Sequence, residues 1–143
     1  MTQEEKDIIY KDACGRILYK PYAAYEFEGK LIQVQITGME GDEPTSPFYG
    51  YSFDTWGHIP HDNVKLYLRP MSSMTEEEHN EWYNYYHEIE LKEVKSKGDY
   101  LKAAILGEAA SIDWLNSHYF DYRGLIEKGL AIEVNENNNP YID

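Results

Sequence analysis

The chain has 143 residues, 26 acidic against 13 basic side chains, and a formal net charge of -13. A chain of this length buries roughly two thirds of its unfolded surface as one domain, with no need of disulfide or metal, and its single cysteine excludes an internal disulfide. The charge disfavours direct DNA or RNA binding, because Lys and Arg neutralising phosphate supply most of that affinity, and no apolar run approaches the roughly 20 residues of a membrane span.

A 15% aromatic content, with 14 tyrosines, argues against disorder and for a thin core rimmed by Tyr. The opening Met1-Thr2-Gln3-Glu4-Glu5-Lys6-Asp7 is acidic and polar, unlike a secretory leader. A cytoplasmic location is therefore expected. The acidity suits a basic protein partner or mimicry of nucleic acid against a basic groove, and equally plain solubility.

Thr2 to Leu18 reads as an amphipathic helix, with Ile8, Ile9, Asp12, Cys14, Ile17 and Leu18 near helical spacing and Thr2 with Glu5 as a capping box. This puts Cys14 on or near the buried stripe, and Pro21 ends the element. Tyr22 to Phe27, the turn Glu28-Gly29-Lys30 and Leu31 to Thr37 predict a hairpin with Ile32, Val34 and Ile36 inward and Gln33 and Gln35 outward. Gly38 to Pro47 reads as a loop. Alternation resumes through Tyr49, Tyr51 and Phe53, Asp54 to Asn63 is expected to be a turn, and Val64, Leu66 and Leu68 form another inward row. Pro70 stops that strand, and Thr75 with Glu78 caps a helix to about His87 whose Trp82, Tyr85, Tyr86 and Ile89 are expected to lie on the sheet. Residues 88–94 fit strand and helix alike. Lys97-Gly98-Asp99 predicts a turn, and Leu101, Ile105, Ile112, Leu115 and Tyr119 a helix covering at least Glu108 to Ser117. Asp121 caps a short helix from Tyr122 to Lys128, closed by Gly129, and Leu130 to Val134 completes the set as an edge strand.

The fold class is accordingly α+β: an N-terminal helix and an antiparallel four- to five-stranded sheet or small barrel, packed against two longer helices and a short C-terminal one. Residues 1–134 form the domain and 135–143 a polar tail.

Chemistry is thinly signalled. His58-Ile59-Pro60-His61 with Asp62 resembles half a metal site, but Pro60 opposes the helix that would converge the two imidazoles. His79 and His87 are too far apart on one helix to share an ion. Cys14 has no base beside it in sequence, no carboxylate pair sits in an apolar setting, and phosphate-binding loops and nucleophile elbows are absent. No catalytic residue, metal or cofactor is assigned. The residues offered as a binding site are His118, Asp121, Tyr122 and Arg123, together with the acids Glu76, Glu77 and Glu78. Glu76 to Glu78 also suit the positive end of their helix, and the His118 to Arg123 block also reads as the polar cap of a helix corner built on Trp114, Leu115, Phe120, Leu125 and Ile126.

Three stretches carry a resemblance. Lys11-Asp12-Ala13-Cys14-Gly15-Arg16-Ile17-Leu18-Tyr19, the run from Tyr67-Leu68-Arg69-Pro70-Met71 to Glu76-Glu77-Glu78, and Ile112 to Asn116 with His118 to Ala131 resemble a family of short uncharacterised proteins from gut anaerobic bacteria and their phages. The Asn-rich tail departs from that family's short ending. The resemblance implies a phage- or mobile-element-associated accessory protein and carries no catalytic residue. The expectation is a non-enzymatic interaction module whose partner is a host or phage protein with a basic surface. The alternatives are a small ligand-binding domain or enzyme with a pocket near Trp114, His118 and Arg123, and a structural component of a phage particle.

Overall fold

The computed structural model describes residues 1–41, 46–86 and 96–142. Helix α1 (Gln3–Arg16) starts at the predicted capping box: Thr2 Oγ1 accepts from Glu5 N at 3.1 Å and Thr2 N donates to Glu5 Oε2 at 2.7 Å. A 3-10 turn (Ile17–Tyr19) and Lys20, in the left-handed conformation, lead into β1 (Tyr22–Phe27) and β2 (Lys30–Met39). Their turn is the two residues Glu28 and Gly29, both at positive φ (50° and 76°), which matches the twist of a tight hairpin. β3 (Phe48–Ser52), β4 (Thr55–His58) and β5 (Lys65–Leu68) follow, then α2 (Glu76–Tyr86), α3 (Lys97–Ser117) and β6 (Ala131–Glu133).

The strands form one open sheet in the order β4-β3-β2-β1-β5-β6, antiparallel except for the β5–β6 pair. The α+β class is thus observed, and the described residues form six strands in an open sheet with a parallel edge, not a closed barrel. The segment expected to be a turn, Asp54 to Asn63, contains β4, because Thr55 to His58 pairs with β3 as a second hairpin.

One face of the sheet carries the core: Ile9 and Ala13 of α1 lie with Ala23, Val34, Ile36, Phe48, Leu66 and Leu68, closed by Leu125 and Leu130. Val34, Ile36, Val64, Leu66 and Leu68 face inward as the alternation predicts. On β3 the parity is the reverse of the expected one: Phe48 and Gly50 are buried, while Tyr51 and Phe53 stand exposed. Phe48 sets this side by entering the core cluster, and Gly50 permits it. A Cβ there would lie 1.9 Å from the Gln35 carbonyl oxygen, so only a glycine lets β2 and β3 approach on that side. A second, smaller cluster on the opposite face joins Ala24, Tyr67 and Val134 to Tyr22, Ile132 and Tyr141.

Cys14 is exposed, not on the buried stripe. The buried side of α1 consists of Ile9, Asp12, Ala13 and Arg16, so of the expected row Ile9 and Asp12 are buried, while Arg16 is enclosed and Cys14 and Leu18 stand exposed.

α2 and α3 form an antiparallel hairpin. Trp82 Nε1 donates to Ser111 Oγ at 2.7 Å and Trp114 Nε1 to Glu81 Oε1 at 3.3 Å. The expected docking of α2 on the sheet is therefore corrected: Trp82 packs with Trp114, Leu115 and Phe120, and Tyr85 is exposed. Ile89, the side chain of Tyr86, His87 and the ambiguous 88–94 stretch lie outside the described residues. Lys97 and Gly98, expected to turn, begin α3, and the helix runs through Gly107 without a break. The short helix over 122–128 is replaced by turns, with Gly129 left-handed at their end (φ 72°) as anticipated.

Candidate functional site

The three stretches singled out in the sequence meet at Phe120, which is fully buried. Tyr119 leaves α3 in a left-handed conformation (φ 62°), which lays the next residues alongside the end of β5. There Arg69 N donates to Tyr119 O at 2.8 Å and Asp121 N to Arg69 O at 2.9 Å. The Arg69 guanidinium covers the Phe120 ring at 4.1 Å from its centroid and clasps Glu78 through two bonds of 2.7 Å. Glu78 also accepts from Thr75 N at 3.1 Å, as the capping box predicts. The Arg69 bonds, helped by the Thr75 bonds and the Arg69 charge, hold the Glu78 carboxyl down to about 2 against the opposing effect of burial. Glu78 is therefore a cap and an ion-pair partner, while Glu76 and Glu77 project from the first turn of α2 into solvent.

Below Phe120 lies the end of α1. Arg16 and Asp12 are completely buried and paired through Nε–Oδ2 (2.9 Å) and Nη2–Oδ1 (3.1 Å) contacts, and Arg16 Nη2 also donates to Phe120 O at 2.7 Å. Arg16 Nη1 finds no hydrogen-bond partner among the described residues. Arg123, 42% exposed at its side chain, brings its Nε to 3.2 Å from Asp12 Oδ1. The Tyr122 ring lies between the two guanidinium groups, 5.2 Å from Arg16 and 5.4 Å from Arg123, and its hydroxyl donates to Asn116 Oδ1 at 2.8 Å. Asn116 in turn fits against Gly15, where a Cβ would come within 3.3 Å of its Nδ2.

Asp121 is buried, and its two oxygens accept from Leu125 N and Ile126 N, each at 2.9 Å. It caps a turn where a helix cap was expected. His118 stacks on Trp114 (3.9 Å between centroids, 20° between planes), with Nδ1 2.9 Å from Trp114 O and Nε2 3.7 Å from Glu81 Oε1. Phe120 is stacked with Trp114 as well, at 5.9 Å and 12°. Thus His118, Tyr122 and Arg123 are neighbours of one buried corner, but each is engaged with a different protein group. The fold does not turn them towards a common point.

Sequence reasoning missed Arg16, Arg69 and Asn116. An Asp12/Arg16 pair four residues apart on a helix was the available signal, since an ion pair at that spacing can enter a core that neither partner enters alone.

Elsewhere, His58 Nε2 lies 2.7 Å from Ser46 O, His61 stacks on Tyr25 at 4.2 Å, and Asp62 pairs with Lys6 at 2.6 Å. The three members of the half metal site thus go separate ways, and among the described residues no group of three or more His, Cys, Asp or Glu is placed to hold a metal ion. No helix of the described residues is long and apolar enough to cross a membrane. An open cleft of ≈ 690 Å³ crosses the sheet between Gln33, Gln35, Tyr51, Phe53 and Asp54. Among the described residues, exposed apolar side chains gather on the helices: Tyr83 and Tyr85 on α2, and Tyr100, Leu101, Ile105, Leu106 and Ile112 on α3. No family model, curated protein or solved structure matches the chain.

Proposed function

We propose that this chain is a non-enzymatic interaction module whose contact surface is the α2–α3 hairpin, and that it works as the phage- or mobile-element-associated accessory protein its motifs imply. The supporting observation is the combination on the α2 side of that hairpin of the exposed Tyr83 and Tyr85 side chains with the acids Glu76 and Glu77. Apolar side chains gathered on one exposed element are a common mark of a protein contact, and a surrounding excess of acid selects a partner of opposite charge and speeds encounter. A host or phage protein with a basic surface around an apolar patch is the matching partner. A ligand pocket at Trp114, His118 and Arg123 is the weaker reading, because His118 and Phe120 both stack on the Trp114 ring and Arg123 is committed to Asp12.

Affinity capture from host lysate with the purified chain tests the proposal, at low and at moderate salt, beside a Glu76→Gln/Glu77→Gln variant and a Tyr83→Ala/Tyr85→Ala variant. Glu78 is left intact because it clasps Arg69. A protein retained by the wild type, weakened by salt and lost with either variant supports the module. Retention of nothing at either salt, or of the same proteins by every variant, overturns it.

A further inference from the structure

α3 has two apolar sides. Ser111 and Trp114 face α2, where Ser111 bonds Trp82 and Trp114 bonds Glu81. On the opposite side Leu101, Ile105 and Ile112 recur at helical spacing and stand open, Leu101 at 61% and Ile105 at 63% exposure. A helix that already packs on a neighbour gains nothing within its own chain from a second apolar stripe.

The charges beside the stripe say what covers it. Among its described side chains α3 carries Lys97 and Lys102 in its first half and Glu108 and Asp113 in its second, all exposed. The helix dipole favours the reverse order, as α1 and α2 show with Glu4 and Glu5, and Glu76, Glu77 and Glu78, in their first turns. Asp99 stands in the first turn of α3 where the dipole favours an acid, so it is the placing of Lys97, Lys102, Glu108 and Asp113 that local electrostatics leave open and that symmetry accounts for. Counted from Ile105, Lys102 and Glu108 are equally far, and Lys97 and Asp113 likewise. A copy of α3 laid antiparallel across a two-fold axis at Ile105 sets each copy's lysine half beside the other's acidic half. It also seats Leu101 level with the small Ala109 and Ile112 level with Gly98 of the opposing helix. Self-complementarity of this kind, in which one residue's partner sees that residue in return, is the property of a two-fold interface.

We infer that a second copy of this chain packs on the Leu101/Ile105/Ile112 side of α3, the two helices running antiparallel about Ile105. The homodimer goes beyond the interaction reading and does not depend on it: captured partners address α2 and its acids, while this contact needs only the purified chain.

Equilibrium sedimentation of the purified chain is the test, in moderate salt so that repulsion between two highly acidic copies is screened. The wild type is expected to be dimeric, and Ile105→Glu to weaken the dimer at least about tenfold, leaving the circular dichroism and melting temperature unchanged because the residue is exposed. Lys97→Glu/Lys102→Glu is expected to weaken it too, and adding Glu108→Lys/Asp113→Lys to that variant to restore it. In a Cys14→Ser background, Ile105→Cys should oxidise to a covalent dimer, since the residue on a two-fold axis meets itself. A monomer at every concentration, a dimer indifferent to Ile105→Glu, or failure of the cysteine at 105 to cross-link overturns the inference. A monomer that still captures a partner overturns this inference alone.

Discussion

Asp12 is the point on which the corner between α1 and α3 turns. It is fully buried and takes Arg16 through two contacts and Arg123 through a third, so one carboxylate neutralises charge that neither arginine leaves to solvent alone. The two arginines are unequal. Arg16 is completely enclosed and also donates to Phe120 O, whereas Arg123 is 42% exposed and keeps water as an alternative. Removing Asp12 strands a buried guanidinium, and breaking such a pair from one side costs about 3–5 kcal/mol. Removing Arg123 leaves the Asp12–Arg16 pair whole, and an exposed partner of this kind contributes about 1 kcal/mol or less. Urea denaturation of Asp12→Ala and Arg123→Ala should therefore give a large and a small loss of stability. Equal losses would mean that Arg123, not Arg16, is the counter-ion that holds the corner.

Among the elements, the β1–β2 hairpin was legible because its alternation, its Gly29 and its burial all agree. β4 was not, since Gly57 and the nearby Asp54 and Pro60 mimic a loop, and it is held by its hairpin pairing with β3 and by the Trp56 Nε1 bond to Thr37 Oγ1 of β2, a partner that no local pattern announces. The inward side of β3 was misread for a related reason. Its tyrosines suggested a core row, while the inward side holds one large residue, Phe48, followed by Gly50, which has no hydrophobicity to register. In the site, the apolar corner of Trp114, Leu115 and Phe120 and the Thr75–Glu78 cap were visible as pattern, but the ion-pair partners of Arg123 and Glu78 come from other elements and leave no local spacing to read. Gly50 and Gly57 are register partners that make the point testable. A methyl at Gly50 meets Gln35 O at 1.9 Å and must push β2 and β3 apart, whereas at Gly57 nothing lies within 4 Å. Gly50→Ala should cost at least about 2 kcal/mol, and Gly57→Ala should fall within about 0.5 kcal/mol of wild type. Thermal melts of the two variants decide it. A tolerated Gly50→Ala would show that the strands separate freely at this point.

At the scale of the molecule, stability is fastened at opposite ends of the pH scale by different parts of the fold. On the acid side stands the Arg69–Glu78 clasp, which joins β5 to α2. The folded Glu78 carboxyl ionises at about 2 against an ordinary value of 4.5, so the unfolded chain takes up this proton first. The clasp's contribution is whole above about pH 4.5 and disappears as pH falls towards 2. On the alkaline side stands the C-terminal segment, whose Tyr141 stacks on Tyr119 at 3.6 Å and bonds the backbone of Tyr22 and Tyr67 across the sheet. Burial raises the Tyr141 hydroxyl far above its ordinary value, and it raises Tyr119 and Tyr67 as well. The unfolded chain then loses these protons near the ordinary value of 10 while the folded chain keeps them, so stability is present below that pH and falls as pH rises through it. Melting temperature against pH should form a plateau that slopes away on both sides. Glu78→Gln should lower the plateau and flatten the acid slope, and Tyr141→Phe should lower it and reduce the alkaline slope, because each variant removes the group whose proton affinity changes on folding. Tyrosinate absorbance that rises to completion near pH 10 with the circular dichroism intact would refute the alkaline half, since it would show Tyr141 ionising in place.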